Sequence, residues 1–117
     1  MKVLVVDDNT EITDMLSDFL SLSGMEVIIC NNGKQGLDLI LEGNYDKVLL
    51  DLAMPEFSGT DVIDQLKQNN FQNMSKIYIF TASSVTEAEI QRLLSTGVKS
   101  CIMKPVRMPE LVEKLNG

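Results

Sequence analysis

Asp7 and Asp8 stand side by side where the apolar run Val3-Leu4-Val5-Val6 ends. Adjacent carboxylates repel each other and are costly to take out of water. A hard divalent cation makes use of such a pair. Mg²⁺ takes oxygen ligands and is typically held by one or two carboxylates, with water and phosphate oxygens completing its shell. Taken alone, the pair is equally a helix N-cap beside a surface acid. Three more polar residues close apolar runs in the same way: Asp51 after Val48-Leu49-Leu50, Thr81 after Ile79-Phe80, and Lys104 after Ile102-Met103. Dispersed over a surface they are a loop cap, a β-branched strand end and an ordinary lysine. Brought together, carboxylates, a hydroxyl and an ammonium make a site for a cation and a phosphoryl group. The elements that carry them decide between the two.

Those elements alternate. Five short runs rich in Val, Ile and Leu predict strands: Lys2–Val6, Met25–Cys30, Lys47–Leu50, Lys76–Phe80 and Val98–Met103. They show little period-two alternation, as parallel strands covered on both faces do. Between them lie stretches of helical periodicity, marked by Ile12, Met15, Leu16, Phe19 and Leu20, then Leu37, Ile40 and Leu41. Val62, Ile63 and Leu66 mark a third stripe, Ile90, Leu93 and Leu94 a fourth, and Leu111, Val112 and Leu115 a last one. Thr86-Glu87-Ala88-Glu89 has the spacing of a capping box, Gly97 suits a helix C-cap and Pro109 a first helical turn. Asn31-Asn32-Gly33 and Pro55 to Gly59 are turn material. The alternation predicts an α/β fold with a doubly wound parallel sheet. In such sheets ligands bind beyond the carboxyl ends of the strands. Asp7 and Asp8, Asp51, Thr81 and Lys104 all fall on that edge.

Size and composition narrow the function. A chain of 117 residues suits one domain, and 44% hydrophobic with 23% charged residues is globular rather than disordered. No apolar run approaches the ~20 residues of a membrane span, so no membrane insertion is expected. No secretory leader opens the chain, which makes the cytoplasm the expected location. Cys30 and Cys101 lack metal-ligand spacing and are expected to be reduced, buried thiols. A net charge of −7 argues against direct nucleic-acid binding. The chain has no histidine, which excludes imidazole bases, His-ligated zinc and a phosphohistidine carrier role.

The acidic pair Asp7-Asp8, Asp51 within Val48-Leu49-Leu50-Asp51-Leu52-Ala53-Met54-Pro55, Gly59, Thr81-Ala82 and Lys104-Pro105 together resemble a response-regulator receiver domain. The likeness runs the whole length and is similar to the stand-alone chemotaxis regulators. It implies a flavodoxin-like, five-stranded parallel sheet in the order 2-1-3-4-5 flanked by five helices, formed by residues 1–117 as one domain. It also implies a cis bond between Lys104 and Pro105. In such a receiver Asp51 is the nucleophile that accepts a phosphoryl group from a histidine kinase or phosphotransfer protein. Attack by a carboxylate on a phosphoryl group is opposed by anion repulsion, so catalysis is largely positioning and charge neutralisation. Mg²⁺ held by Asp8, Asp51 and the Ala53 carbonyl, with Asp7 acting mostly through water, meets that need. Lys104 adds a second positive charge for the phosphoryl oxygens and, at rest, for Asp51. The Thr81 hydroxyl donates to the new phosphoryl group. Such a module catalyses only its own phosphorylation and dephosphorylation and is not an enzyme acting on other substrates. Small residues beside the site, Ala53 and Ser83, leave it open to water.

Two positions depart from the pattern. Receivers usually carry Tyr or Phe three residues before the lysine, where this chain has Cys101, and Val106 stands where an aromatic is frequent. The aromatic half of the usual switch is absent. A phosphate sink tolerates that loss, as does an output read through another face. Gly117 comes directly after the last predicted helix, as expected of a single-domain regulator or of a receiver cut from a longer one. A haloacid-dehalogenase-type phosphohydrolase also uses Asp, Mg²⁺, Thr and Lys. Its nucleophile, however, follows the first strand as Asp-x-Asp, and here Asp7-Asp8-Asn9 stands there. A flavodoxin-like mononucleotide binder needs a Gly/Ser/Thr-rich phosphate loop after that strand, where the acidic pair would repel phosphate.

Overall fold

The computed structural model describes residues 1–82 and 84–116, so the expectations resting on Ser83 and Gly117 lie outside the described residues. Five strands, β1 (Lys2–Val6), β2 (Glu26–Cys30), β3 (Lys47–Leu50), β4 (Ile77–Thr81) and β5 (Ser100–Met103), alternate with five helices. The helices are α1 (Thr10–Leu22), α2 (Gly33–Glu42), α3 (Gly59–Gln68), α4 (Glu87–Ser95) and α5 (Met108–Asn116). All four strand pairings are parallel, and the order is β2-β1-β3-β4-β5. The β4 boundary differs from expectation because Met74–Lys76 closes a 3-10 turn, and β4 extends one residue further to include Thr81.

The sheet separates two apolar layers. Leu4, Val6, Val48, Leu50, Ile77 and Ile79 pack against α2, α3 and Leu93 of α4. Val3, Val5, Leu49, Tyr78, Phe80 and Ile102 pack against Leu16 and Leu20 of α1 and Leu111 and Leu115 of α5. Central strands are therefore buried on both faces, which is why they read as continuous hydrophobic runs. Met15 and Leu41, in line with the predicted apolar stripes, are instead exposed. Gly36 lets α2 approach β1: a Cβ there would come within 2.6 Å of a Val6 methyl. No helix among the described residues is long and apolar enough to cross a membrane.

The helix starts refine the sequence reading. The Thr86 side chain accepts from the Glu89 N–H as expected, but the reciprocal half of that capping box is absent. Glu89 is engaged by Arg92 instead, through Nε and Nη2 at 3.2 Å each. The complete box lies at α3, where the Asp61 N–H donates to Ser58 Oγ and the Ser58 N–H to Asp61 Oδ2.

Candidate functional site

Each strand end delivers a polar residue to one edge because the parallel register sets the ends level. Val6 is paired with Cys30 on one side and Leu50 on the other, so Asp7 and Asp51 emerge as neighbours. The next main-chain bonds continue the ladder: the Asp51 N–H donates to the Val6 carbonyl at 2.9 Å, and the Asp7 N–H to the Cys30 carbonyl at 3.0 Å. Thr81 ends β4, and the Lys104 N–H donates to its carbonyl at 2.9 Å. The Lys104–Pro105 bond is cis, as the resemblance implied. The expected residues thus converge, and Asp7, Asp8, Asn9, Ile12, Asp51, Ala53, Ala82 and Lys104 line one open cleft.

The carboxylates differ in surroundings. Asp7 is 2% exposed; its Oδ2 accepts from Lys104 Nζ at 2.7 Å and its Oδ1 from the Asn9 N–H at 2.9 Å. Asp8 is exposed. Asp51 is 6% exposed, and its Oδ1 is buried with no hydrogen-bond partner among the described residues. Lys104 Nζ is 4.0 Å from that oxygen, beyond hydrogen-bond reach. At rest the ammonium therefore hydrogen-bonds Asp7 and supplies its charge to Asp51, as expected, through a longer ion pair. Its Nζ also lies 5.1 Å from the centre of the Phe80 ring, a cation–π contact that helps hold it in place.

Burial is the chief cause that pushes the Asp51 carboxyl above its ordinary value, and the charge of Asp7 adds to it. Lys104, the Thr81 hydroxyl and the Ala53 N–H pull it down without cancelling the rise. Two conditions for a cation are therefore met. Asp7, Asp8 and Asp51 can each turn one oxygen to within 4.8 Å of the others, and one of those carboxylates has an oxygen that nothing else satisfies. Oxygen-only donors of this kind suit Mg²⁺ rather than a softer metal.

Over residues 3–116 the sequence matches the response regulator receiver domain family. The chain belongs to that family. Receiver domains are phosphoacceptor signalling modules of two-component systems, not enzymes in the ordinary sense. The transcriptional regulatory protein CpxR of Escherichia coli K12 is 34% identical over 116 residues, covering 97% of this chain and 47% of CpxR. The chain thus spans about half the length of that relative. The polar-differentiation response regulator DivK of Brucella anthropi is 31% identical over 113 residues, and there the match covers 97% of this chain and 91% of DivK. Among solved structures, the Thermotoga maritima response regulator TrrA, determined in complex with Mg²⁺-BeF, superposes with a TM-score of 0.83. It is 31% identical, with 98% of this chain and 96% of that one covered.

Within this receiver, the loop after Asp51 is shaped by glycine. The Gly59 N–H closes back on the Leu52 carbonyl at 3.0 Å, and a Cβ at Gly59 would lie 2.1 Å from the Asp51 carbonyl oxygen. Glu56, at the loop's turn, adopts a φ of +67°. Cys101 is half-buried on β5 and packs against the layer formed by α2, α3 and α4, where burial raises its thiol pKa. Its neighbour Ile102 faces the opposite layer. Cys30 is buried, and both cysteines are free, as expected. Sequence reasoning missed Asn31, whose amide donates to the Asp7 carbonyl, and Thr13, which touches Asn31 and not the acidic pair. Asn31 was visible only as turn material and Thr13 only as a polar residue on α1.

Proposed function

We propose that this receiver accepts a phosphoryl group on Asp51 from a histidine kinase or phosphotransfer protein and thereby alters a protein-binding surface. The observation that carries this reading is Asp51 itself, a carboxylate just past the end of β3 that lines one open cleft with Asp7, Asp8 and Lys104. A carboxylate that opens on such a cleft can act as a nucleophile through its accessible oxygen. It attacks phosphorus, an O–P bond forms, and the N–P bond to the donor imidazole breaks.

Asp8 and Asp51 would hold Mg²⁺ with the Ala53 carbonyl, and Asp7 would contribute through water. When bound, Mg²⁺ supplies charge neutralisation for the incoming phosphoryl oxygens. The chain's own residues do the rest. Asp7 keeps the Lys104 ammonium beside the site, so that it meets the added oxygens with little reorganisation. The Thr81 hydroxyl, at the buried end of β4, would donate to them. The same groups serve hydrolysis of the acyl phosphate, giving a module that turns over only its own phosphoryl group.

Residues 1–117 act on this reading as one receiver unit in the cytoplasm. The match to about half of CpxR and most of DivK supports both a part of a longer regulator and a stand-alone one. Cys101 favours one variant of the reading, a phosphate sink or an output that does not use an aromatic on β5.

Intact mass spectrometry after incubation with Mg²⁺ and acetyl phosphate tests the assignment. One added phosphoryl group in the wild type and none in Asp51→Asn is the expected result. Equal phosphorylation of Asp51→Asn overturns it.

A further inference from the structure

Asp7 is held by its main chain as well as by its carboxylate. Its N–H donates to the Cys30 carbonyl at 3.0 Å, and its C=O accepts from Asn31 Nδ2 at 2.8 Å. Two consecutive residues at the end of β2 thus occupy both polar groups of the Asp7 backbone. The second amide hydrogen of Asn31 goes to Thr13 Oγ1 at 3.2 Å, and that hydroxyl donates onward to the Thr10 carbonyl at 3.1 Å. Thr13 is 1% exposed. One side chain therefore joins the end of β2, the end of β1 and the first turns of α1.

The bond to the Asp7 carbonyl matters because that carbonyl belongs to the peptide leading into Asp8. A peptide group is planar, so turning its C=O turns its N–H and the following Cα with it. Asp8 needs such control. Its carboxylate makes no hydrogen bond or ion pair among the described residues, yet it lies within 4.8 Å of Asp7 and Asp51 as a possible ligand. The carboxylate of Asp7, by contrast, is fixed by Lys104 and by the Asn9 N–H. The position of Asp8 is set by its backbone alone.

We infer that Asn31 is a positioning residue for the acidic pair: by holding the Asp7–Asp8 peptide it keeps Asp8 where it can bind a divalent cation. This rests on the reading of Asp7, Asp8 and Asp51 as a Mg²⁺ site. Packing does not account for Asn31, whose side chain is exposed at the strand end and acts through its two N–H groups. Outer partners of metal ligands are worth about 10- to 100-fold in affinity when they orient the ligand directly. Asn31 acts one peptide away, which places its effect at the lower end, about tenfold.

Titration calorimetry of Mg²⁺ into the metal-free protein tests this on four variants, with far-UV circular dichroism to establish the fold. Asn31→Ala is expected to raise the Kd about tenfold, and Asn31→Leu, which keeps the branch at Cγ and loses both N–H donors, to do the same. Thr13→Val cuts only the branch to α1; it should lower the Tm and leave the Kd unchanged. Asp8→Asn should abolish most of the binding. A wild-type Kd in a folded Asn31→Ala or Asn31→Leu protein overturns the inference. So does a Thr13→Val loss as large as that of Asn31→Ala, which would make the effect one of general stability. A wild-type Kd in Asp8→Asn overturns the cation-site reading itself.

Discussion

Asp51→Asn should make the metal-free protein more stable. The wild-type carboxylate is 6% exposed, its Oδ1 has no hydrogen-bond partner among the described residues, and the charge of Asp7 opposes its ionisation. A buried group left unsatisfied in this way costs about 1–3 kcal/mol. Asparagine keeps the shape and one polar atom there but removes the charge, the costlier part of that burial, so the gain falls within that range. A gain of 1–3 kcal/mol raises the Tm of a domain of this length by roughly 4–12 °C. The effect has a defined pH dependence. Because the folded Asp51 carboxyl titrates above its unfolded value, the folded protein binds the extra proton between the ordinary carboxylate pKa, near ~4, and the raised value. Wild-type stability therefore falls as pH rises through that window and stays low above it. The advantage of the variant is full above the raised value and shrinks on acidification. Adding Mg²⁺ narrows the gap. A ligand at 100 times its Kd stabilises the wild type by about 2.7 kcal/mol, and the variant, lacking one ligand charge, gains less. Scanning calorimetry of both proteins in EDTA and in Mg²⁺, from neutral to acid pH, reads all of this. An Asp51→Asn protein no more stable than wild type in EDTA at pH 7, or a gap that widens on acidification, would refute the argument.

Two further substitutions probe the loop. Gly59→Ala places a Cβ 2.1 Å from the Asp51 carbonyl oxygen and 2.8 Å from the Leu52 Cα, both main-chain atoms that cannot turn aside. It should cost about 1–3 kcal/mol in urea unfolding and slow phosphorylation by acetyl phosphate; wild-type behaviour in both assays would remove Gly59 from the positioning of Asp51. Glu56→Gly, at φ +67°, removes a left-handed penalty of about 1 kcal/mol, part of which the greater freedom of unfolded glycine takes back. A net gain of about half a kcal/mol in the same urea assay is expected, and a loss would show that the Glu56 side chain, not its backbone, decides stability there.

The alternation of β and α elements was legible because the central strands are buried on both faces and leave unbroken runs of Val, Ile and Leu. The same fact exposed the site: a charge at the end of such a run stands out, as Asp7, Asp51 and Lys104 do. Where burial is one-sided the signal weakened. Met15 and Leu41 extend apolar stripes yet face solvent. Hydrogen-bond partnership was less legible than placement. Glu89 has the spacing of a capping residue but answers to Arg92, a choice between two partners one turn apart that spacing does not settle. Lys104 pairs with Asp51 as expected but hydrogen-bonds Asp7 more closely, because which of two adjacent carboxylates an ammonium reaches first depends on side-chain geometry. The Asn31 bonds span positions 24 and 18 residues away, and no local pattern records them.

The bond from the Gly59 N–H to the Leu52 carbonyl turns residues 52–59 into a closed ring hinged on the sheet. A ring clipped at its neck can deform inside without pulling on the helix beyond it. That helix, α3, is clamped by its complete capping box and by three fully buried aliphatic side chains, Val62, Ile63 and Leu66. Helix α4 buries only Leu93. At roughly 1.5–3 kcal/mol per buried aliphatic side chain, the two helices differ several-fold in how firmly they are anchored. If Asp51 is phosphorylated as proposed, displacement there would meet a stiff wall on the side of its own loop and a soft one beyond Thr81. On that reading the direction of the mechanical response would follow from the unequal anchoring of two helices, before any partner is bound.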